Sequence, residues 1–197
     1  MRTNWEVIKH FKKEEFAPEE VPAQQSDWDM HHSLVRKLDH IRAEAARLTD
    51  DPVRIIIRRN GGFALEGHSA NSLHGGYQWN AVTKASEPYI GRAADFTIEE
   101  KIDGEWTPWS WLKQAVFVRG YIGPECGMGI YPWWHRPGIH LDYRLDVPDR
   151  TPAVWVRDPG DTYHALPFDQ FYELVDFVSQ VEASMVETVL SEKDSDD

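Results

Sequence analysis

The feature that most restricts the fold of this chain is a long polar stretch, residues 60–91, that is rich in glycine and asparagine. Two apolar segments flank it. Val53–Ile57 is β-branched enough to be a buried strand, and residues 93–98 are predicted as the next strand. A stretch this polar cannot form a core element, and loops of such length in compact domains are usually functional or disordered. We therefore expect a long loop region that lines one face of the fold.

Helical periodicity marks three further parts of the chain. Apolar residues spaced by three and four predict helices over 27–48, 109–119 and 168–190. Asp27 or Asp29 is expected near the cap of the first helix, and Thr107 with Pro108 is expected to open the second. A shorter amphipathic segment over 1–16 is expected to pack onto the body of the protein.

Short strands are predicted between and beyond these helices, at 128–131, 139–145 and 154–156. Helices and strands in this order indicate an α+β fold rather than a parallel βαβ array. The 197 residues suit one domain over 1–190, followed by an acidic disordered tail over 191–197.

Charge and cysteine content exclude several classes of function. The formal net charge is -12, with 21 Lys and Arg against 33 Asp and Glu, so no basic face is expected for nucleic acid. Cys126 is the single cysteine, which excludes an internal disulfide and a Cys-rich zinc site. A metal in this protein would therefore be held by histidine and carboxylate.

Five parts of residues 5–145 carry motifs in a recognisable order. They are FKKEEF at 11–16, LVRKLDHIR at 34–42, GHSANSLH at 67–74, GRAADF at 91–96, and GMGIYP at 127–132 continued by HLDYR at 140–144. Together they resemble the zinc D-Ala-D-Ala carboxypeptidase type of metallopeptidase, a superfamily that includes phage endolysin peptidases. The resemblance implies a hedgehog-like α+β fold, with a small, mainly antiparallel sheet, flanking helices and a zinc site.

The resemblance assigns the zinc ligands to His74, Asp95 and His140. Zinc in a hydrolase takes three nitrogen or oxygen ligands from the protein and keeps a fourth position for water, and this set meets that need. In the family the first histidine and the aspartate usually have six residues between them, and that register would place Pro88 at the first ligand. An insertion over about 75–90 would reconcile the spacing, and a site without its first ligand is the alternative.

The general base is the second departure from the family pattern. Many members carry Asp or Glu three residues before the last ligand, where this chain has Pro137. Asp142 and His135 are the candidates to replace it as catalytic residues, and His68 is a further one. Asp142 has a second interpretation, because a carboxylate two residues from His140 on a strand can also orient that ligand.

The resemblance places a substrate-binding arginine just after Val53–Ile57, and Arg59 and Arg144 are assigned to bind an anionic substrate group. Arg58 and Arg92 are the alternatives to these two. The resemblance implies a zinc-dependent peptidase whose substrate is the stem peptide of peptidoglycan, acting as a D-Ala-D-Ala carboxypeptidase or as an endopeptidase. The alternative is a non-catalytic peptidoglycan-binding or phage structural module with a degenerate peptidase fold, and Pro137 favours it.

The expected location follows from the absence of targeting signals in the sequence. No apolar stretch is long enough to cross a bilayer, and the N-terminal residues lack the apolar core of a secretion signal. We expect synthesis in the cytoplasm without membrane insertion, and action on the cell wall would require release or association with a phage.

Overall fold

The computed structural model describes residues 1–17, 28–58, 90–145, 151 and 153–194. Three α-helices lie in this part of the chain: α1 (His32–Ala45), α2 (Trp111–Arg119) and α3 (Phe171–Asp194). Short 3-10 helices occupy Trp5–Val7, Lys13–Phe16 and Phe168–Gln170. None of the helices in the described ranges is long and apolar enough to span a membrane.

Nine strands are assigned within the same ranges. They are β1 (Asp29–Met30), β2 (Val53–Ile57), β3 (Ile90–Gly91), β4 (Ala93–Ile102), β5 (Glu105–Pro108), β6 (Cys126–Tyr131), β7 (Gly138–Tyr143), β8 (Ala153–Arg157) and β9 (Tyr163–Pro167). Seven of them form one sheet in the order β2-β4-β7-β6-β8-β9, with β5 paired to the far end of β4. The other two, β1 and β3, form a separate parallel pair.

The predicted α+β class is confirmed, whereas the mainly antiparallel sheet is corrected to a mixed one. The parallel pairing in the main sheet is between β6 and β8. Its cause is the position of β7, which is antiparallel to β6 and occupies one edge of it. The next strand, β8, pairs with the other edge of β6 and runs opposite to β7, so β8 is parallel to β6.

Alternation along the strands gives the main sheet one apolar face and one polar face. In β4, Ala94, Phe96 and Ile98 are fully buried and belong to the hydrophobic core. Asp95 and Glu99 point to the opposite face of the same strand. Any group placed on the polar face is therefore held by strands whose other side is anchored in the core.

The helices cover the apolar face. Buried side chains from α1, α2 and α3 meet the sheet in one cluster, among them Leu34, Leu38, Ile41, Ala115, Val118, Phe171, Leu174 and Val178. The N-terminal segment adds Phe11 and Phe16, which pack on each other at 5.6 Å between ring centroids. Cys126 is fully buried at the start of β6, and burial raises the pKa of its thiol to about 12.

All three helices begin later than the sequence predicts, with α3 beginning at Phe171 after the 3-10 helix Phe168–Gln170. Helix α1 begins at His32 rather than near residue 27, because Asp29 belongs to β1, where its carboxylate accepts hydrogen bonds from Met30 N and Trp5 Nε1. Helix α2 begins at Trp111, and Ser110 is its N-cap, with the hydroxyl accepting from Lys113 N at 3.2 Å.

The C-terminal and loop predictions have different outcomes. Helix α3 continues to Asp194, past residue 190 where the prediction ends it, so its backbone includes the start of the expected acidic tail. The predicted loop region over 60–91 and the insertion over 75–90 lie outside the described residues, except for Ile90 and Gly91, which form β3.

Candidate functional site

Asp95 and His140 face each other across the two central strands of the main sheet. They are direct partners in the antiparallel register of β4 and β7. His140 Nδ1 lies 2.7 Å from Asp95 Oδ1, which is hydrogen-bond distance. His140 is only 8% exposed. Two residues predicted as metal ligands are thus brought together, 45 positions apart in sequence, by strand pairing alone.

Asp142 lies two residues along β7 and engages the other ring nitrogen of His140. Its Oδ2 is 3.2 Å from His140 Nε2, and its two oxygens also accept hydrogen bonds from Arg144 Nε at 2.5 Å and Nη2 at 2.8 Å. Gly127 N donates a further bond to Oδ1 at 3.1 Å. Arg144 is fixed in turn by Thr151, whose carbonyl accepts from Nη1 at 2.7 Å. A carboxylate so fully engaged is suited to orienting His140.

The charges in this cluster stabilise one another. Burial alone would lower the pKa of His140, but the hydrogen bonds and charges of Asp142 and Asp95 raise it to about 9. Burial would raise the pKa of Asp142, yet the hydrogen bonds from Arg144 and His140 hold it well below its usual range. Asp142 is therefore ionised throughout the physiological range, which makes it a weak proton acceptor.

Three glycines on the polar face make room for large planar side chains beside His140. A Cβ on Gly127 would collide with the Arg144 guanidinium, and one on Gly129 would lie 2.5 Å from Trp155 Nε1. Gly138 is covered in the same way by the Trp134 ring, at 3.0 Å from Cε3. Because these backbones lack side chains, the planar groups approach the sheet closely.

Trp155 forms the wall of the site on the β8 side. Gly129 is the register partner of both His140 and Trp155, so the indole reaches across it to the imidazole. The two ring centroids are 5.0 Å apart, at an interplanar angle of 55°. Trp155 Nε1 donates to the Tyr131 hydroxyl at 3.3 Å, and burial raises the pKa of that phenol.

Arg58 and the turn after β6 form the opposite wall. Arg58 N donates to the Asp95 carbonyl at 2.8 Å, directly after β2 ends. Its guanidinium lies over the Trp134 ring at 4.0 Å, and Tyr131 stacks on Trp134, also at 4.0 Å. Burial lowers the pKa of Arg58 despite the nearby charge of Asp95, but an arginine stays charged at physiological pH.

The remaining predicted site residues fall into two groups. His74, Arg59, His68 and Pro88 lie outside the described residues, so their roles stay predictions. His135 is exposed on the turn between β6 and β7, and no hydrogen bond between described residues joins it to His140 or Asp95. Arg92 is buried, 7% exposed, with its carbonyl accepting from Tyr143 N at 2.8 Å.

Pro137 has a structural role at the position where the family usually carries an acid. Its carbonyl accepts hydrogen bonds from Thr97 Oγ1 at 3.1 Å and Gln114 Nε2 at 3.0 Å. Gln114 is fully buried on α2, and its Oε1 accepts from Ile98 N at 3.0 Å. The proline therefore fixes the turn before β7 to both β4 and α2.

Nitrogen and oxygen donors that zinc prefers are present, in the form of the Asp95 carboxylate and His140 Nδ1. Two ligands of one tetrahedral zinc lie about 3.3 Å apart, so these atoms would have to separate from their hydrogen-bond distance to share a metal. No group of three or more His, Cys, Asp or Glu residues within the described ranges could hold a metal ion. The described chain thus offers two of the three predicted ligands, and His140 has the carboxylate partner at Nε2 that metal-bound histidines usually have.

Sequence reasoning did not identify Trp155, Tyr131, Trp134 or Glu99 as neighbours of the site. The glycines in GMGIY were a usable signal that a large side chain approaches the backbone closely, since glycine inside a strand often marks such a place. Which side chains fill the space depends on the register between β6 and β8, which has no local signal in the sequence.

Comparisons of the chain with protein-family models, with curated proteins and with solved structures found no match.

Proposed function

We propose that this protein is a zinc-dependent peptidase that acts on the stem peptides of bacterial peptidoglycan, with a fold of the D-Ala-D-Ala carboxypeptidase type. The observation that carries the proposal is the pairing of Asp95 and His140 on adjacent central strands, with Asp142 holding the second nitrogen of His140. The motif resemblance supplies the third ligand, His74, and the substrate class.

Each residue of the candidate site has a defined role in this proposal. Bound zinc would acidify a water molecule and polarise the scissile carbonyl. Asp142 orients His140 by accepting from Nε2, which leaves the lone pair of Nδ1 for the metal once its proton is lost. Trp155 excludes water from one side of the imidazole. Arg58 is the cation next to Asp95 for an anionic substrate group, because Arg144 is bound to Asp142 and Thr151.

In this scheme the general base is a residue other than Asp142. All its hydrogen bonds described above point to an orienting role, and its lowered pKa makes it a poor acceptor of a proton from water. His135 stands as the candidate base, exposed on a turn that Pro137 and Trp134 hold in place.

The test compares the zinc-loaded protein with its metal-free form on purified muropeptides, with released D-Ala and opened stem peptides measured by mass spectrometry. We expect about one zinc per chain, cleavage by the loaded form only, and loss of both in Asp95→Asn and His140→Gln. His164→Gln is the matched control, because His164 Nε2 also pairs with an aspartate, Asp158, at 2.7 Å but lies on β9. Normal zinc content in His140→Gln would refute the proposal.

Non-catalytic peptidoglycan binding is the second candidate, and Pro137 is the feature that favours it. It predicts that the zinc-loaded wild type sediments with peptidoglycan but cleaves no muropeptide between mildly acidic and mildly basic pH. Cleavage that depends on Asp95 would exclude it.

A further inference from the structure

A buried carboxylate on the polar face has no part in the proposed reaction. Glu99 on β4 is 1% exposed, and its Oε2 accepts from Arg54 Nε at 2.8 Å and lies 2.7 Å from Arg54 Nη2. Its Oε1 is bound by Arg136 Nη1. Two arginines thus share one carboxylate that is almost entirely removed from water. Buried ion pairs contribute little net stability relative to apolar residues. The geometry of this pair therefore says more about its role than its contribution to stability does.

Arg136 links Glu99 to the candidate site. Its guanidinium is held by Glu99, and its backbone carbonyl accepts a hydrogen bond from Arg58 Nη2. The side chain and the backbone carbonyl of Arg136 are therefore both held by hydrogen bonds. The side chain of Arg136 is half-exposed, 44%, so packing alone does not define its position.

Arg58 is confined by this link on one side and by aromatic packing on the other. Its Nη2 also reaches Thr97 Oγ1 at 3.4 Å, and its guanidinium stacks on Trp134 at 4.0 Å. Without the Arg136 carbonyl, the stacking and the long contact to Thr97 would still allow the planar group to slide over the ring. A cation that must meet a substrate anion in one geometry loses binding energy when it is mobile.

We propose that Glu99 is a positioning residue that acts through Arg136 to hold Arg58 beside Asp95 for the anionic group of the substrate. This inference rests on the proposed function, in which Arg58 binds the substrate. Glu99 does not touch the substrate in this arrangement. Its effect is on substrate binding rather than on the chemical step.

The kinetic test uses Glu99→Gln, which keeps the shape of the side chain and removes its charge. We expect KM to rise by about tenfold with kcat within about twofold of the wild type, the size of one weakened charged hydrogen bond. Glu100→Gln is the matched control, because Glu100 is the next residue on β4 and pairs with Lys113 on α2. The control should leave KM unchanged.

A double-mutant cycle tests the path through Arg58. If Glu99 acts on the substrate only by way of Arg58, Glu99→Gln combined with Arg58→Lys should be no worse than Arg58→Lys alone. Additive losses in KM would overturn the proposal, and so would a fall in kcat at unchanged KM. Arg136→Gln should reproduce the effect of Glu99→Gln, which keeps the test decisive should the latter fail to fold.

An NMR measurement separates this inference from the proposed function. The Nε–H signal of Arg58, assigned with Arg58→Lys, should shift and broaden in Glu99→Gln and stay unchanged in Glu100→Gln. If the wild type cleaves nothing, the proposed function fails, and the NMR result still decides whether Glu99 positions Arg58. An unperturbed Arg58 signal in Glu99→Gln would overturn the inference whatever the activity.

Discussion

Both ring nitrogens of His140 meet carboxylates, and the two carboxylates differ in their surroundings. Asp142 accepts from Gly127 N, from two nitrogens of Arg144 and from His140, so its position and charge are fixed. Asp95 is opposite His140 in the register of β4 and β7, and its side chain is 20% exposed. The two aspartates are therefore expected to respond differently to the same change.

The first prediction concerns the orienting role of Asp142. Asp142→Asn removes the charge that favours the Nε2–H tautomer of His140, and we expect zinc affinity to fall by about 10–100-fold, as for other residues that orient a ligand. A zinc titration against a competing chelator measures the change. Unchanged zinc affinity together with a fall in turnover of roughly 10²–10⁴-fold would instead make Asp142 the general base.

The second prediction concerns the close contact between Gly129 and Trp155. In Gly129→Ala the new methyl group would lie 2.5 Å from the indole nitrogen, so the ring must move away from His140. We expect the free energy of unfolding to fall by about 1–3 kcal/mol, the usual cost of overpacking, measured by urea denaturation. In Gly160→Ala, where the nearest atom is a carboxylate oxygen at 3.3 Å, the loss should be smaller. Equal losses would contradict the contact.

Secondary-structure elements with strong local patterns could be predicted, and those set by long-range pairing could not. The β-branched run Val53–Ile57 is a strand with the predicted bounds. The strand beginning at Ala93 was expected to end at residue 98, but β4 continues to Ile102 and turns into β5. The Asp103-Gly104 pair, with φ of 52° and 87°, makes the two-residue hairpin turn between them and was an available signal.

The residues of the candidate site also divide into those that a local sequence pattern predicts and those that long-range strand pairing brings together. The motif HLDYR correctly placed His140 and Asp142 on one face of a strand, because strand periodicity is local. Trp155 lies near the site because β6 pairs with β8, and Glu99 meets Arg54 because β2 pairs with β4. In both cases the paired strands are far apart in sequence. The local sequence of a strand does not identify the distant strand that pairs with it, so these neighbours could not be predicted.

The third prediction is made at the level of the β4–β5 hairpin. Gly104→Ala places a side chain at φ 87°, where L residues are strained, although no atom lies within 4 Å of the new methyl group. We expect a loss of about 1–2 kcal/mol in unfolding free energy from backbone strain alone. Zinc affinity should be unchanged, because the hairpin lies beyond the part of β4 that pairs with β7. A loss of zinc affinity would contradict this separation of the hairpin from the site.

In the described part of the chain, helices α1, α2 and α3 pack on one face of the main sheet, and two buried carboxylates lie on the other. The polar face holds Glu99 at 1% exposure and Asp142 at 2%, each paired with arginine. The pairing of Asp142 with His140 stabilises the fold only while both groups are charged, so the stability of the fold depends on pH.

The fourth prediction follows from the raised pKa of His140. In the metal-free protein this pKa is about 9, above the ordinary value of 6.5, because hydrogen bonds to Asp142 and Asp95 outweigh burial. The stabilisation is therefore complete below about pH 6.5 and is lost as pH rises through about 9. We expect the melting temperature in the presence of chelator to fall over this range. His140→Gln should remove most of the slope and His164→Gln should not. A slope that persists in His140→Gln would assign it to another group.

The single cysteine gives the protein an internal reporter of its own opening. Cys126 lies at the start of β6, fully buried, and burial raises the pKa of its thiol to about 12, so alkylating reagents find neither access nor thiolate in the native state. Labelling then requires the core around Cys126, between the sheet and the helices that cover it, to open, and when reclosing is fast its rate measures the free energy of that opening. Each variant described above can thus be ranked by the rate at which one sulfur atom is modified, with no engineered label and no denaturant.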